Sequence, residues 1–133
     1  MATRRPLVAN SGRADEISAS DVLAPATLGY SSGSNANGTW WKAPDGIIEQ
    51  FGTVTLTNGT VTVTFPIAFP NACFHVDPVP VSVSAVGTSV SAWLNAVPSK
   101  TNATINGRSF TTVLGVLNIG LGSFDLKWHA IGN

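Results

Sequence analysis

Few side chains in this 133-residue chain have the types and spacing that chemistry requires. Past residue 39 the carboxylates are Asp45, Glu49, Asp77 and Asp125. Cleavage of a glycosidic bond needs two of them at a defined separation, and no spacing here sets such a pair. Asp45 reads as a turn residue and Glu49 as the outer face of a strand. Cys73 and His75 share a face of an extended segment, but a nucleophilic pair also needs an orienting third group. No GxSxG elbow, HExxH pair or glycine-rich phosphate loop occurs. The expectation is no enzyme, no catalytic residue and no cofactor. His75 and Asp77 alternate on one face and are the weak metal candidates, with His129 as a third ligand. Around a threefold axis, one histidine per subunit would supply three nitrogens. The plainer reading has His75 bonded within a sheet and Asp77 opening the turn before Pro78.

Aromatic side chains are the stronger binding candidates. Trp40, Trp41, Trp93 and Tyr30 could offer flat faces to a sugar, with Asn95, Asn102 and Asn106 as polar partners. Neighbours on a strand point to opposite faces. Of Trp40 and Trp41, one is therefore expected in the core and the other at a subunit interface or in solvent.

These residues need a β framework, and the sequence supplies its signals. In residues 52–65 two alternating Val/Leu/Thr runs meet at Asn58-Gly59, the dipeptide of a type I′ turn. A hairpin is predicted there, with Thr57 opposite Thr60, Leu56 opposite Val61, Thr55 opposite Thr62 and Val54 opposite Val63. Further strands are predicted at 73–76, 79–85, 89–94, 110–116 and 124–131. The punctuation is Pro66, Pro70-Asn71, Pro78, Pro98, Asn106-Gly107 and Gly120 to Gly122. In the last strand Phe124, Leu126, Trp128 and Ala130 should face the core, and Asp125, Lys127 and His129 solvent. The fold class is all-β, an antiparallel sandwich of about eight short strands.

Charge divides the chain. Only 11% of residues are charged and the net charge is zero, against about 25% charged in an ordinary domain. Arg4, Arg5, Arg13, Asp15, Glu16 and Asp21 crowd the start, whereas Asp77 is the one charge between Gln50 and Ser99. A neutral chain offers no footprint for nucleic acid, and no apolar run approaches the ~18 residues of a membrane span. The start lacks the apolar segment of a signal peptide, so the Asn37, Asn58 and Asn102 Asn-Xaa-Thr triplets read as turns. Cys73 stands alone. Residues 1–28 are expected to form an extended anchoring arm, 29–39 a Gly/Ser/Asn linker and 40–133 the head. Arg4 and Arg5 would pair with carboxylates of a partner protein while Leu7, Val8, Ile17 and Leu23 bury beside them. Strand faces of Thr and Ser without guarding charge suggest coverage by further copies, and a closed homotrimer fits.

Three segments carry a family resemblance. They are Trp41-Lys42-Ala43-Pro44-Asp45-Gly46-Ile47-Ile48-Glu49-Gln50-Phe51-Gly52, the FPIAFPNAC stretch of residues 65–73, and the closing Trp128-His129-Ala130-Ile131-Gly132. Together they resemble the C-terminal domain of bacteriophage tail-fibre proteins, with Phe51 where that family carries Trp. The arm resembles a short element that precedes phage fibre domains. The resemblance implies a homotrimeric virion protein, assembled in the bacterial host cytoplasm, with heads somewhat like the H-type lectin fold. It implies host-surface glycans as ligands. A long shaft, usual in a tail fibre, is missing here, which implies a short fibre or knob, or alternatively a capsid decoration or cement protein without a receptor.

Overall fold

The computed structural model describes residues 7–10, 13–16, 25–81 and 88–133. Near the start, β1 (Leu7–Asn10) and β2 (Arg13–Glu16) form a two-stranded antiparallel sheet. A 3-10 turn at Pro25–Leu28 follows. The stretch expected as a linker is instead a hairpin of β3 (Ser31–Asn35) and β4 (Gly38–Lys42). Asn35 accepts from the Asn37 amide at 2.9 Å and so closes the turn through its own side chain, a local bond available to asparagine.

The head is all-β, two antiparallel sheets with the core between them. β5 (Ile48–Leu56), β7 (Cys73–Pro80) and β11 (Phe124–Gly132) complete the first sheet, in the order β3-β4-β5-β11-β7. The second is centred on β9 (Asn102–Val113). β8 (Thr88–Leu94) pairs along one edge of β9, while β6 (Thr60–Thr64) and β10 (Val116–Leu121) follow one another along the other.

β11 keeps its predicted faces: Phe124, Leu126, Trp128 and Ala130 are buried, and Asp125, Lys127 and His129 are exposed. Against them pack Ile48 and Leu56 of β5, Val63 of β6, Val76 of β7, and Ala103 and Ile105 of β9. Phe65 and Phe69 cap this core, their rings edge to face at 5.2 Å.

The predicted hairpin needs correction. Asn58 and Gly59 do take positive φ, 52° and 83°. Of the four predicted pairs, however, only Thr57 with Thr60 forms. β5 bonds to β4 and β11, and β6 bonds to β9. The turn therefore carries the chain from one sheet to the other. An alternating strand pair can bury its apolar side in either arrangement, since facing sheets and a single sheet both bring Leu56 and Val61 to the core side.

Predicted breaks at Pro78 and Asn106-Gly107 are also absent, and Gly120, read as the start of a third, lies within β10. Pro78 and Pro80 lie within β7, opposite Trp128 and Leu126. An edge strand tolerates proline because its outer amides need no partner, and β7 ends its sheet. Asn106-Gly107 runs through the middle of β9 rather than turning. A Cβ on Gly107 would stand 2.7 Å from the Phe124 ring and 2.9 Å from Leu56, so close packing rather than a turn requires this glycine. The real turn comes later: Leu114 and Gly115, at φ 49° and 79°, join β9 to β10 with Val113 opposite Val116.

Candidate functional site

The outer face of the first sheet gathers most of the head's polar chemistry. Its members come from alternate positions of adjacent strands, which place side chains on one face by the two-residue period. Phe51 of β5 stands opposite His129 of β11, and His129 stands opposite Asp77 of β7. Glu49 Oε2 lies 3.0 Å from His129 Nε2. With Thr53 and Lys127 these side chains line a shallow groove of about 500 Å³. Phe51 is 43% exposed although the strand carrying it is otherwise well covered at Ile48, Gln50 and Leu56.

An aromatic stack adjoins the groove. Trp41 of β4 is the cross-strand partner of Glu49, and its ring stacks on Tyr30 with centroids 5.7 Å apart and planes 13° from parallel. Pro25, Ala26 and Leu28 extend this stack into an apolar cavity of about 940 Å³. Apolar flats beside carboxylates, an ammonium and an imidazole form a mixed surface of the kind that fixes a polar ligand's orientation while covering its apolar side.

The other aromatic candidates sit elsewhere. Trp40 points the opposite way from Trp41 and lies half-buried over Gly33. Trp93 belongs to β8 in the second sheet, where Arg108 lies over its ring at 5.9 Å. Beside it the Asn106 amide donates to Asn95 Oδ1 at 2.9 Å. Trp93 and Asn95 are thus brought together, while Trp40 and Trp41 lie in a different sheet. Arg4, Arg5, Ile17 and Leu23 lie outside the described residues, and Leu7 and Val8 lie in β1.

The Cys73–His75 reading needs correction as well. An irregularity in the β7–β11 register places Cys73 opposite Gly132 and His75 opposite Ile131, and such an extra residue turns neighbours to opposite faces. Cys73 is buried while His75 is exposed. Burial pushes the Cys73 thiol up, partly offset by its backbone contact with His75. His75 and Asp77 are both exposed, and among the described residues no three His, Cys, Asp or Glu side chains gather as a metal site.

Sequence reasoning took Glu49 only as an outer-face carboxylate and His129 only as a third metal ligand, and it placed Phe51 in no binding site. The available signal was a two-residue alternation, Glu49 with Phe51 and Lys127 with His129, which put charge and an aromatic on the outer side. Their convergence depends on β5 and β11 being neighbours, which no local pattern states.

The family model of tail fiber protein gp53-like, C-terminal, matches residues 42–133. The chain belongs to this family. Among solved structures it is similar to the C-terminal residues 323–691 of the P. aeruginosa R2 pyocin fibre, with 26% identity and a TM-score of 0.60. That match covers 81% of this chain and 28% of the fibre chain. An N-truncated R2-type pyocin tail fibre matches with the same identity, TM-score and coverage of this chain, over 41% of its own length. The chain therefore spans less than half of either fibre fragment. No curated protein matches it.

Proposed function

We propose that this chain is a tail-fibre protein of a phage virion whose copies assemble as trimers and whose heads attach to host-surface glycan. The observation that carries the reading is the continuous outer face on which the Tyr30–Trp41 stack meets the Phe51 groove through the Trp41–Glu49 pair. A pyranose ring presents an apolar side that an exposed aromatic covers, while its hydroxyls bond to charged and polar groups around the rim. Residues 1–28 supply the attachment to another virion protein, and the head needs neither metal nor cofactor for this role.

The test is adsorption of the purified protein to host cells and to extracted surface polysaccharide. A Phe51→Ala, Trp41→Ala double variant should lose more than about tenfold in binding with its fold retained, because an aromatic anchor contributes about 2 kcal/mol or more. Wild-type adsorption by that variant would overturn the glycan face. Deleting residues 1–28 should leave the head folded but absent from virions. Localisation of the protein on the capsid, with particle stability rather than adsorption lost on its removal, would replace this reading with a cement role.

A further inference from the structure

The second sheet reverses its own alternation beyond Gly107. Up to that point β9 buries Ala103, Ile105 and Gly107 and turns Asn102, Thr104 and Asn106 outward, as a sandwich strand should. Past it, the positions that continue the core side are Ser109 and Thr111, paired with Gly120 and Asn118 of β10. The outward positions become Arg108, Phe110 and Thr112 of β9 and, opposite them, Leu121, Ile119 and Leu117 of β10. Ile119, Leu121 and Leu117 are 64%, 62% and 59% exposed. β10 bonds to β9 alone, and all six of its residues are exposed. The hairpin runs on past β6 for residues 109–113, about 17 Å at the rise of an antiparallel strand.

We infer that this outward face of β8, β9 and β10 is the surface through which copies of the chain meet. The inference rests on the trimer reading above and says where that contact lies. Three properties select a second copy as the occupant. Trp93, Leu117, Ile119 and Leu121 of the face and Val113, Leu114 and Val116 of its tip are all exposed, a longer run of apolar side chains than a monomer ordinarily leaves uncovered. Arg108 is the sole charge in the three strands. Its guanidinium donates to the Gly107 carbonyl at 2.9 Å and lies over Trp93. Leu117, Ile119 and Leu121 form a straight row at two-residue spacing. Copies related by an axis along the strands would meet this row at equal heights, Ile119 against Ile119.

Sedimentation of the full chain at micromolar concentration tests the assignment through Ile119→Glu, the milder Leu117→Ser, and Val97→Glu as a control on an exposed loop residue. Wild type and the control should sediment as trimers, and the two face variants should dissociate, with association weakened at least about 100-fold for Ile119→Glu. An Ile119→Cys variant should cross-link between chains on mild oxidation, a readout that stands even where the glutamate variant fails to fold. Trimeric face variants with no cross-link would overturn this face and leave the trimer reading intact. A monomeric wild type would overturn both. A monomer that binds neutral phosphatidylcholine vesicles through this hairpin would give the face to lipid instead.

Discussion

Gln50 and Ile67 exchange two hydrogen bonds, each 2.9 Å long, between the first sheet and the Phe-Pro loop. The Gln50 amide donates to the Ile67 carbonyl, and the Ile67 amide donates to Gln50 Oε1. Gln50 is completely buried and is the core's one polar side chain among the described residues. The pair holds the loop so that Phe65 and Phe69 reach the core beside Trp128, which lies 5.8 Å from Phe65. Gln50→Leu would strand two backbone groups, each worth about 1–3 kcal/mol when left unpaired in a dry interior. The expected loss is about 2–4 kcal/mol by urea unfolding. Gln50→Glu should be less damaging at acid pH, where the carboxyl regains a proton to donate to the Ile67 carbonyl. Equal stability of wild type and Gln50→Leu would show that the loop is held by its phenylalanines alone.

Gly107 should tolerate no side chain. Its neighbours are the Phe124 ring and Leu56, both in a packed core that resists insertion at about 1–3 kcal/mol per forced methyl. Gly107→Ala should lower the melting temperature by roughly 4–8 °C per kcal/mol lost. Gly115→Ala differs: nothing lies within 4 Å of its Cβ position, and its φ of 79° is the sole obstacle. Its cost should stay near the 1–2 kcal/mol of a left-handed residue, and a larger loss at Gly115 than at Gly107 would contradict this packing account.

Trp41 and Trp128 should separate ligand from core. Trp128 is 2% exposed and Trp41 is 37% exposed. Trp128→Ala is expected to cost about 3–5 kcal/mol, whereas Trp41→Ala loses only its stack on Tyr30, about 1 kcal/mol. Chemical denaturation of the two variants decides; equal losses would place Trp41 in the structural core.

Cys73 should be unreactive in the folded chain. Thiolate is the attacking species, and burial raises the thiol above its ordinary value of 9.0. Iodoacetamide at neutral pH should label it only on unfolding. The folded state holds this proton more tightly than the unfolded state, so the contribution is intact below pH 9 and falls as pH rises past it. Stability of a Cys73→Ala variant should lack that alkaline decline, whatever its loss at neutral pH. Fast labelling of native protein at neutral pH would contradict the burial.

Local chemistry was legible in the residues wherever a decision depended on neighbours in the chain. The faces of β11, the type I′ conformation at Asn58-Gly59 and the opposite headings of Trp40 and Trp41 all follow from the strand period and from residues that accept positive φ. Where proline and glycine were read as breaks, sheet position decided otherwise. Pro78 is harmless because β7 is an edge, and Gly107 serves Phe124 rather than a turn.

The tail-fibre resemblance also came from the sequence, through three short segments in order, and the family match over residues 42–133 agrees with it. By itself, then, the sequence determined an all-β head, its family and which residues alternate. Tertiary structure decided partners. A strand's hydrogen bonds are satisfied equally well by any neighbour in register, so nothing local could state that β5 joins β11 while β6 joins β9. The same freedom hid both outer faces. Phe51, Glu49 and His129 meet only because β5 and β11 are adjacent, and the row from Leu117 to Leu121 points outward only because β10 extends the edge of β9 beyond the sandwich.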